Sequence, residues 1–147
     1  MMKFLKSLIL LLALSLSGCS ATVILTAAPD ANNPECAQVI VRLPQSTDSQ
    51  ERRTTSSQST AAWGNPTTVT LTCGVDPVLV SKLPCVSAGD VDWIVDESQK
   101  PIYRFISFGR TPATLITVDS TKVSGATILD DLSQAVNVVK QSRKCIG

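Results

Sequence analysis

Carboxylates are the side chains of this sequence best suited to acid–base chemistry, because the chain contains no histidine. Without histidine there is no Ser-His-Asp or Cys-His arrangement, and the commonest general base of enzymes is absent. Asp90 and Asp92 stand two residues apart on a predicted strand, so both face one side and are able to share a proton or hold a hard cation. Such a pair is also typical of a solvated strand edge. We therefore assign no catalytic residue and no metal site.

Arginine and tryptophan form a second set with chemical potential. Arginine offers a planar fork for carboxylate or phosphate, and tryptophan offers a flat face for stacking. The members are Arg52, Arg53, Trp63, Trp93 and Arg110. With Arg110 in a tight turn and Asp92 as its partner, the set predicts an anion- or glycan-binding groove beneath a polar loop. The alternative makes both tryptophans core residues and Asp92–Arg110 an ordinary salt bridge.

Composition narrows the choice of partners. The chain has 13 basic and 12 acidic side chains, a formal net charge of +1, and no basic stripe. This balance argues against nucleic acid as a partner. The sequence also lacks a glycine-rich loop for phosphate, and we predict no cofactor.

The first residues are typical of an export signal. Lys3 and Lys6 precede an apolar run over residues 8–16, about half the ~20 residues that a helix needs to cross a bilayer. Leu16-Ser17-Gly18-Cys19 resembles the bacterial lipoprotein signal, which implies cleavage before Cys19 and a diacylglyceryl group on its sulfur. The alternative is an ordinary secreted protein with Cys19 in a disulfide.

These features divide the chain into three parts. We predict a signal peptide over residues 1–18, a lipidated tether over residues 19–33 and a single domain over residues 34–147. The tether has a reach of roughly 20 Å if it is flexible, although residues 23–25 are apolar enough to form a strand instead. Acyl chains then hold the protein at the outer face of the plasma membrane.

Four further cysteines predict two disulfides, since an even number in an exported chain is typical of a disulfide framework. They are Cys36, Cys73, Cys85 and Cys145. Three pairings are open, and we favour Cys73–Cys85, which closes a short loop and leaves Cys36–Cys145. Because the chain has neither a CxxC pair nor histidine, the cysteines do not indicate a zinc site.

Periodicity predicts an α+β fold. One helix begins at Asn33-Pro34, and a final helix begins at Ser124-Gly125 and carries Lys140, Arg143 and Lys144 near its end. The predicted strands are Thr67–Cys73, Val91–Asp96, Ile102–Phe108 and Ala113–Asp119. Residues 45–62 lack periodicity and are predicted as a loop, and Asp76-Pro77 predicts a short helical turn. We expect a two-layer sandwich in which the N- and C-terminal helices pack on one face of a four-stranded antiparallel sheet.

Several segments together resemble a family of uncharacterised actinobacterial lipoproteins, known only as a domain of unknown function. The matching segments are Cys36-Ala37, Leu43-Pro44, Arg52-Arg53, Ala62-Trp63-Gly64-Asn65-Pro66, Cys73-Gly74-Val75, Cys85, Val91-Asp92-Trp93, Phe108-Gly109-Arg110-Thr111-Pro112 and Leu129 to Val139. The resemblance implies a membrane-anchored envelope protein of high-GC Gram-positive bacteria. It supplies no activity.

The sequence thus predicts a location better than it predicts an activity. We expect a non-catalytic lipoprotein that binds a protein or a wall component of the cell envelope. One alternative is an enzyme that acts on envelope carbohydrate through carboxylates such as Asp92 and Asp96. A second alternative is a structural accessory that steadies a membrane complex.

Overall fold

The computed structural model describes residues 20–146. The predicted signal peptide, residues 1–18, and the predicted lipid-attachment residue Cys19 lie outside the described residues. No helix within residues 20–146 is long and apolar enough to cross a membrane.

A single eight-stranded antiparallel sheet forms the main layer. Its strands are β1 (Ser46–Thr47), β2 (Gln50–Arg53), β3 (Thr60–Trp63), β4 (Val69–Val75), β5 (Cys85–Ala88), β6 (Val91–Gln99), β7 (Ile102–Ser107) and β8 (Ala113–Asp119). They are ordered β1-β2-β3-β4-β8-β7-β6-β5. The antiparallel α+β class is confirmed, but the prediction of four strands is wrong, because the predicted strands correspond only to β4, β6, β7 and β8.

Residues 45–62 contribute three of the additional strands instead of a long loop. All four residues of β3 are buried, so this strand lacks the alternation of apolar and polar residues that marks a half-buried strand. β1 and β2 are short and polar. β3 pairs with β4, β2 pairs with β3, and β1 pairs with β2, so the formation of these strands depends on their neighbours in the sheet.

The two helices begin where local capping signals predict. Helix α1 (Pro34–Arg42) follows Asn33, whose side chain accepts a hydrogen bond of 3.0 Å from the backbone N–H of Glu35. Helix α2 (Gly125–Val136) follows Ser124, whose hydroxyl accepts from the backbone N–H of Thr127. A side-chain acceptor satisfies a backbone donor that has no partner inside the helix. α2 nevertheless ends at Val136, so the predicted basic residues do not lie in its last turn.

One core lies between the helices and the sheet. Trp63, Leu71, Trp93 and Ile116 are buried in it together with the apolar stripe of α2, which includes Ile128 and Leu132. The sheet curls around α2, since the helix contacts both outermost strands, β1 and β5. Thr47 donates to Asp131 at 2.8 Å, and Ser133 donates to the carbonyl of Ala88 at 2.7 Å.

The disulfides differ from the favoured pairing. Cys36 pairs with Cys73 and Cys85 with Cys145, with Cα–Cα distances of 5.5 and 5.9 Å. Cys73 lies in β4, and three strands separate it from β5, so Cys85 is too far away to bond with it. Because α2 ends at Val136, the chain leaves the helical layer and carries Cys145 to β5 instead of to α1.

Residues 20–33, here called the amino-terminal segment, pack on the domain instead of forming a free tether. The backbone N–H of Val23 donates to Thr54 at 2.9 Å, and Val23 makes a parallel bridge with Thr55. The N–H of Asp30 donates to the carbonyl of Gly74 at 3.0 Å. Gly74 has φ +98°, and a Cβ there would lie 2.5 Å from the Asp30 carbonyl carbon. The close approach therefore needs glycine.

Candidate functional site

Both tryptophans of the predicted binding set are core residues. Trp63 and Trp93 are fully buried. The indole N–H of Trp63 donates to the carbonyl of Pro44 at 3.3 Å. Neither ring has a free face for a ligand, so the alternative reading of the tryptophans is the correct one.

Arg110 is also buried, although it lies at the turn between β7 and β8. Its guanidinium donates to the carbonyl of Val139, to the side-chain oxygen of Asn137 at 2.9 Å and to the carbonyl of Asp90 at 3.2 Å. Burial lowers the pKa of Arg110, and the charge of Asp92 opposes that shift. The side chain therefore holds the chain where it leaves α2 and does not face a ligand.

Asp92 lies on the outer face of β6 and binds protein groups on three sides. It accepts hydrogen bonds from the Ser87 hydroxyl at 2.5 Å, the Gln141 amide at 2.9 Å and the backbone N–H of Cys145 at 2.8 Å. Burial acts to raise the pKa of Asp92, but these hydrogen bonds and the charge of Lys144 together bring it below its ordinary value. The carboxylate is thus ionised and fastens the end of the chain to the sheet.

The predicted Asp92–Arg110 salt bridge is not formed. Within residues 20–146, the ion pairs closer than 4.0 Å join Lys100 to Glu97 and Arg104 to Asp96. Asp90, the other member of the predicted carboxylate pair, has φ +63° in the turn before β6. It lines a polar hollow of about 420 Å³ together with Asp92 and Lys144.

Arg52 and Arg53 lie far from this region of the sheet, on β2. The guanidinium of Arg52 donates to the carbonyls of Leu43 and Ile40 at 3.3 and 3.4 Å, and so caps the end of α1. Burial lowers the pKa of Arg52. Arg53 donates to the carbonyls of Gly64 at 2.8 Å and Ala21 at 2.5 Å. Both arginines line a hollow of about 470 Å³, but their guanidinium groups donate hydrogen bonds to backbone carbonyls.

The predicted arginine–tryptophan groove is therefore wrong as a single site. Both tryptophans lie in the core, and Arg110 lies in the turn after β7. Arg52 caps the end of α1, whereas Arg53 binds the carbonyls of Gly64 and Ala21. The members of this set were grouped by side-chain chemistry, but the planar donors of arginine serve backbone carbonyls as readily as they serve ligands.

A different groove, of about 640 Å³, opens on the outer face of the sheet. Its floor contains Ile94 of β6, Phe108 after β7, and the disulfide of Cys85. Ile94 and Phe108 are almost completely buried, yet neither belongs to the core beneath the helices. They form a small second apolar layer, over which two segments of chain pass.

The first wall of this groove is the apolar loop, residues 76–84, which connects β4 to β5. It runs as irregular chain, so the predicted helical turn is wrong. Val78 makes a parallel bridge with Phe108, and its carbonyl accepts from the N–H of Gly109 at 3.0 Å. These bonds leave Leu79, Val80 and Leu83 exposed on the groove side, with Val80 at 81% exposure.

The second wall is the carboxyl-terminal segment, residues 137–146. Ser142 donates through its backbone N–H to the carbonyl of Gly109 at 2.7 Å. Gly109 has φ +66°, and a Cβ there would lie 2.8 Å from the carbonyl carbon of Arg143. Only glycine permits this contact. The wall presents Arg143, Lys144 and Ile146 to the groove.

The groove is apolar with a basic border. Its lining side chains are Leu79, Val80, Ser81, Leu83, Cys85, Ile94, Phe108, Arg143, Lys144, Cys145 and Ile146. Carboxylates are not among them. Arg143 and Lys144 are exposed and form no ion pair within 4.0 Å among residues 20–146. An open pocket of this size, mostly apolar with a few charged groups, is typical of a site for a small ligand.

Sequence reasoning did not identify this groove. One available signal was the run from Val78 to Leu83, whose Leu79 and Val80 are adjacent apolar residues in a segment that we predicted to be a short helical turn. The second wall had no signal, because the final helix is predicted to extend through Lys140, Arg143 and Lys144.

Comparison with known proteins gives one family and no individual relative. The model of a family described as "Protein of unknown function (DUF3515)" matches residues 8–145. No curated protein and no solved structure matches the chain significantly.

Proposed function

The chain belongs to the DUF3515 family of unknown function, and we propose that it is a lipid-anchored, extracytoplasmic binding protein of the actinobacterial cell envelope. Cys19 carries the lipid, and the domain is a non-catalytic module that binds a protein or wall component. The ligand site is the groove between the apolar loop and the carboxyl-terminal segment. The observation that carries this proposal is the exposure of Leu79, Val80 and Leu83 around a preformed cavity.

The groove supports binding because its apolar walls are held in place without a ligand. Backbone hydrogen bonds fix the apolar loop to the turn after β7, and a disulfide together with Asp92 fixes the carboxyl-terminal segment. A preformed site costs less conformational entropy on binding than a site that must be ordered first. Exposed apolar groups around such a site indicate contact with a partner.

Anchoring is tested by the mass and location of the mature protein. We expect the intact mass of the protein purified from membranes to equal that of a chain that begins at Cys19 and carries acyl groups. A Cys19→Ala variant should be absent from the membrane fraction. Cleavage at another position, or an unmodified Cys19, would refute the lipid anchor.

Binding through the groove is tested by photo-crosslinking in intact cells. A photoreactive residue at position 80 is compared with one at position 41 of α1, since Val80 and Val41 are 81% and 74% exposed but only Val80 lines the groove. We expect a defined adduct at position 80 that is absent at position 41. No adduct at position 80 beyond that at position 41 rejects the groove as the binding site.

The enzyme alternative, with Asp92 and Asp96 acting on envelope carbohydrate, stays a prediction. Asp92 accepts three hydrogen bonds that hold the chain, and Asp96 accepts from Ser98 and pairs with Arg104. These contacts favour structural roles for both carboxylates. Turnover of wall fragments by the wild type, abolished in Asp92→Asn with the fold intact, would instead establish the enzyme.

A further inference from the structure

The groove combines an apolar cavity with two cations that form no ion pair within 4.0 Å among residues 20–146, and this combination selects the chemistry of a ligand. Its floor and first wall supply Leu79, Val80, Leu83, Ile94 and Phe108, which offer no charge. Apolar ligand surface that is buried against them is removed from water, which favours binding in proportion to the area buried. The preferred occupant therefore has an apolar body.

The second wall adds positive charge at one side of the cavity only. Arg143 and Lys144 line the groove, and Asp92, on which the charge of Lys144 acts, already accepts three hydrogen bonds. Asp92 lines the neighbouring polar hollow rather than this groove. An anionic group on the ligand would thus meet Arg143 and Lys144, and no carboxylate among residues 20–146 lines this groove.

The position of the cavity argues against an extended peptide. The floor lies on the face of β5 and β6, as shown by the pairing of Cys85 with Ile94 across these strands. Backbone donors and acceptors of a sheet lie in its plane and are not presented to a ligand on its face. Addition of a peptide strand, which depends on those groups at an open edge, is therefore not the mode of this groove.

We infer that the groove binds an amphiphilic anion, a molecule with one apolar chain and a carboxylate or phosphate at its end. The chain lies against the apolar loop and the floor, and the anionic end lies beside Arg143 and Lys144. This inference rests on the proposed function, since it names the chemical class of the envelope component that the same site binds. A free fatty acid and a phosphorylated lipid share this chemistry.

The test measures binding of three twelve-carbon probes to the full lipoprotein in phosphatidylcholine nanodiscs. The probes are laurate, dodecyl phosphate and uncharged dodecanol. We expect wild-type protein to bind at least one of the two anions about tenfold or more tighter than dodecanol, the size of effect typical of one charge-assisted hydrogen bond. The anion that binds more tightly distinguishes a fatty-acid source from a phosphorylated-lipid source.

Two pairs of matched variants locate the interaction. Arg143→Gln with Lys144→Gln should reduce anion binding to the level of dodecanol, whereas Arg42→Gln with Lys122→Gln, two basic residues that do not line the groove, should not. Val80→Asp should abolish binding of all probes, whereas Val41→Asp should preserve it. Circular dichroism confirms that each variant is folded.

Several outcomes overturn the inference. They are equal binding of dodecanol and the anions, binding that survives Val80→Asp, or no binding of any probe. If a protein or glycan adduct forms at position 80 in cells while all probes fail to bind, the proposed function stands and the ligand class is wrong. If no adduct forms there in cells, the proposed function itself fails.

Discussion

The two terminal segments of the described chain are each fastened beside a disulfide, but the disulfides differ in their surroundings. Cys36 and Cys73 are fully buried in the core, next to the contact of Gly74 with the amino-terminal segment. Cys85 and Cys145 are partly exposed and line the groove. The first disulfide ties helix α1 to β4, and the second ties a surface segment to β5. One holds the fold together, and the other holds one wall of the candidate site.

Loop length alone does not distinguish the two disulfides. The bonded cysteines are 37 and 60 residues apart, and the chain-entropy relation gives about 4 kcal/mol of stabilisation for either loop. Burial is the property in which the two disulfides differ, with Cys36–Cys73 fully buried and Cys85–Cys145 partly exposed. Experiments that respond to the burial of the sulfur atoms therefore test whether the two disulfides have different roles.

The largest effect is expected from removal of the buried disulfide. Cys36→Ala with Cys73→Ala should lower the free energy of unfolding by about 5 kcal/mol, because lost sulfur packing adds to the loss of loop closure. Urea unfolding measures the change. In the matched Cys85→Ala with Cys145→Ala variant, hydrogen exchange should increase most in the carboxyl-terminal segment and less in β4 and β8. Fast exchange throughout the sheet in that variant would contradict the comparison.

Selective reduction gives the next largest effect. Under native conditions a small thiol reductant should reduce Cys85–Cys145 more than about tenfold faster than Cys36–Cys73, because attack on a disulfide depends on access to its sulfur. Alkylation followed by mass spectrometry identifies the labelled residues. Equal labelling of the two pairs in folded protein would show that burial does not protect the first.

Substitution of Gly109 should have a moderate effect confined to the groove. Gly109→Ala places a side chain at positive φ and against Arg143, with an expected loss of about 1–2 kcal/mol of stability. The carboxyl-terminal segment should then detach, as seen by hydrogen exchange. Gly74→Ala is the counterpart at the other disulfide and should loosen residues 30 and 31 instead. If each variant loosens both segments, the two ends are not independent.

Protonation of Asp92 is expected to give the smallest effect. Since the folded-state pKa of Asp92 lies below its ordinary value, its contribution to stability is present above about pH 4 and is lost as the pH falls through the folded-state pKa. The protection factor of the Cys145 amide, which donates to Asp92, should fall in that acidic range. In Asp92→Asn this amide should show weak protection at every pH. An unchanged pH profile in that variant would exclude the carboxylate as the cause.

The sequence alone identified those elements whose signals are local. The caps at Asn33 and Ser124 depend on a few neighbouring residues, and both helix starts were predicted correctly. β4 was identified because Val69, Leu71 and Cys73 alternate with threonines. β3 was not predicted, because its residues are buried on both faces and show no alternation of apolar and polar residues. Its pairing with β4 cannot be inferred from its own residues.

The candidate site is formed by contacts between residues far apart in the sequence, which local sequence patterns do not predict. Arg110 was correctly placed at a turn, but its burial depends on Asn137 and Val139, which lie beyond the end of α2. The groove arises where residues 76–84 and 140–146 pass over the same strands. The observed pairing of the cysteines likewise depends on the order of the eight strands. The four predicted strands did not contain this order.

The contacts of α2 with β1 and β5 have a consequence for the protein in a crowded environment. The outermost strands of a sheet carry unpaired backbone groups that can recruit strands from other molecules and begin aggregation. Here β1 is only two residues long, and the hydroxyl–carboxylate bond of Thr47 with Asp131 ties it to the helix. On the opposite side, the bond of Ser133 with Ala88 holds β5 against the same helix. A single helix thus ties down both outermost strands, which limits the freedom of either strand to pair with a strand of another molecule.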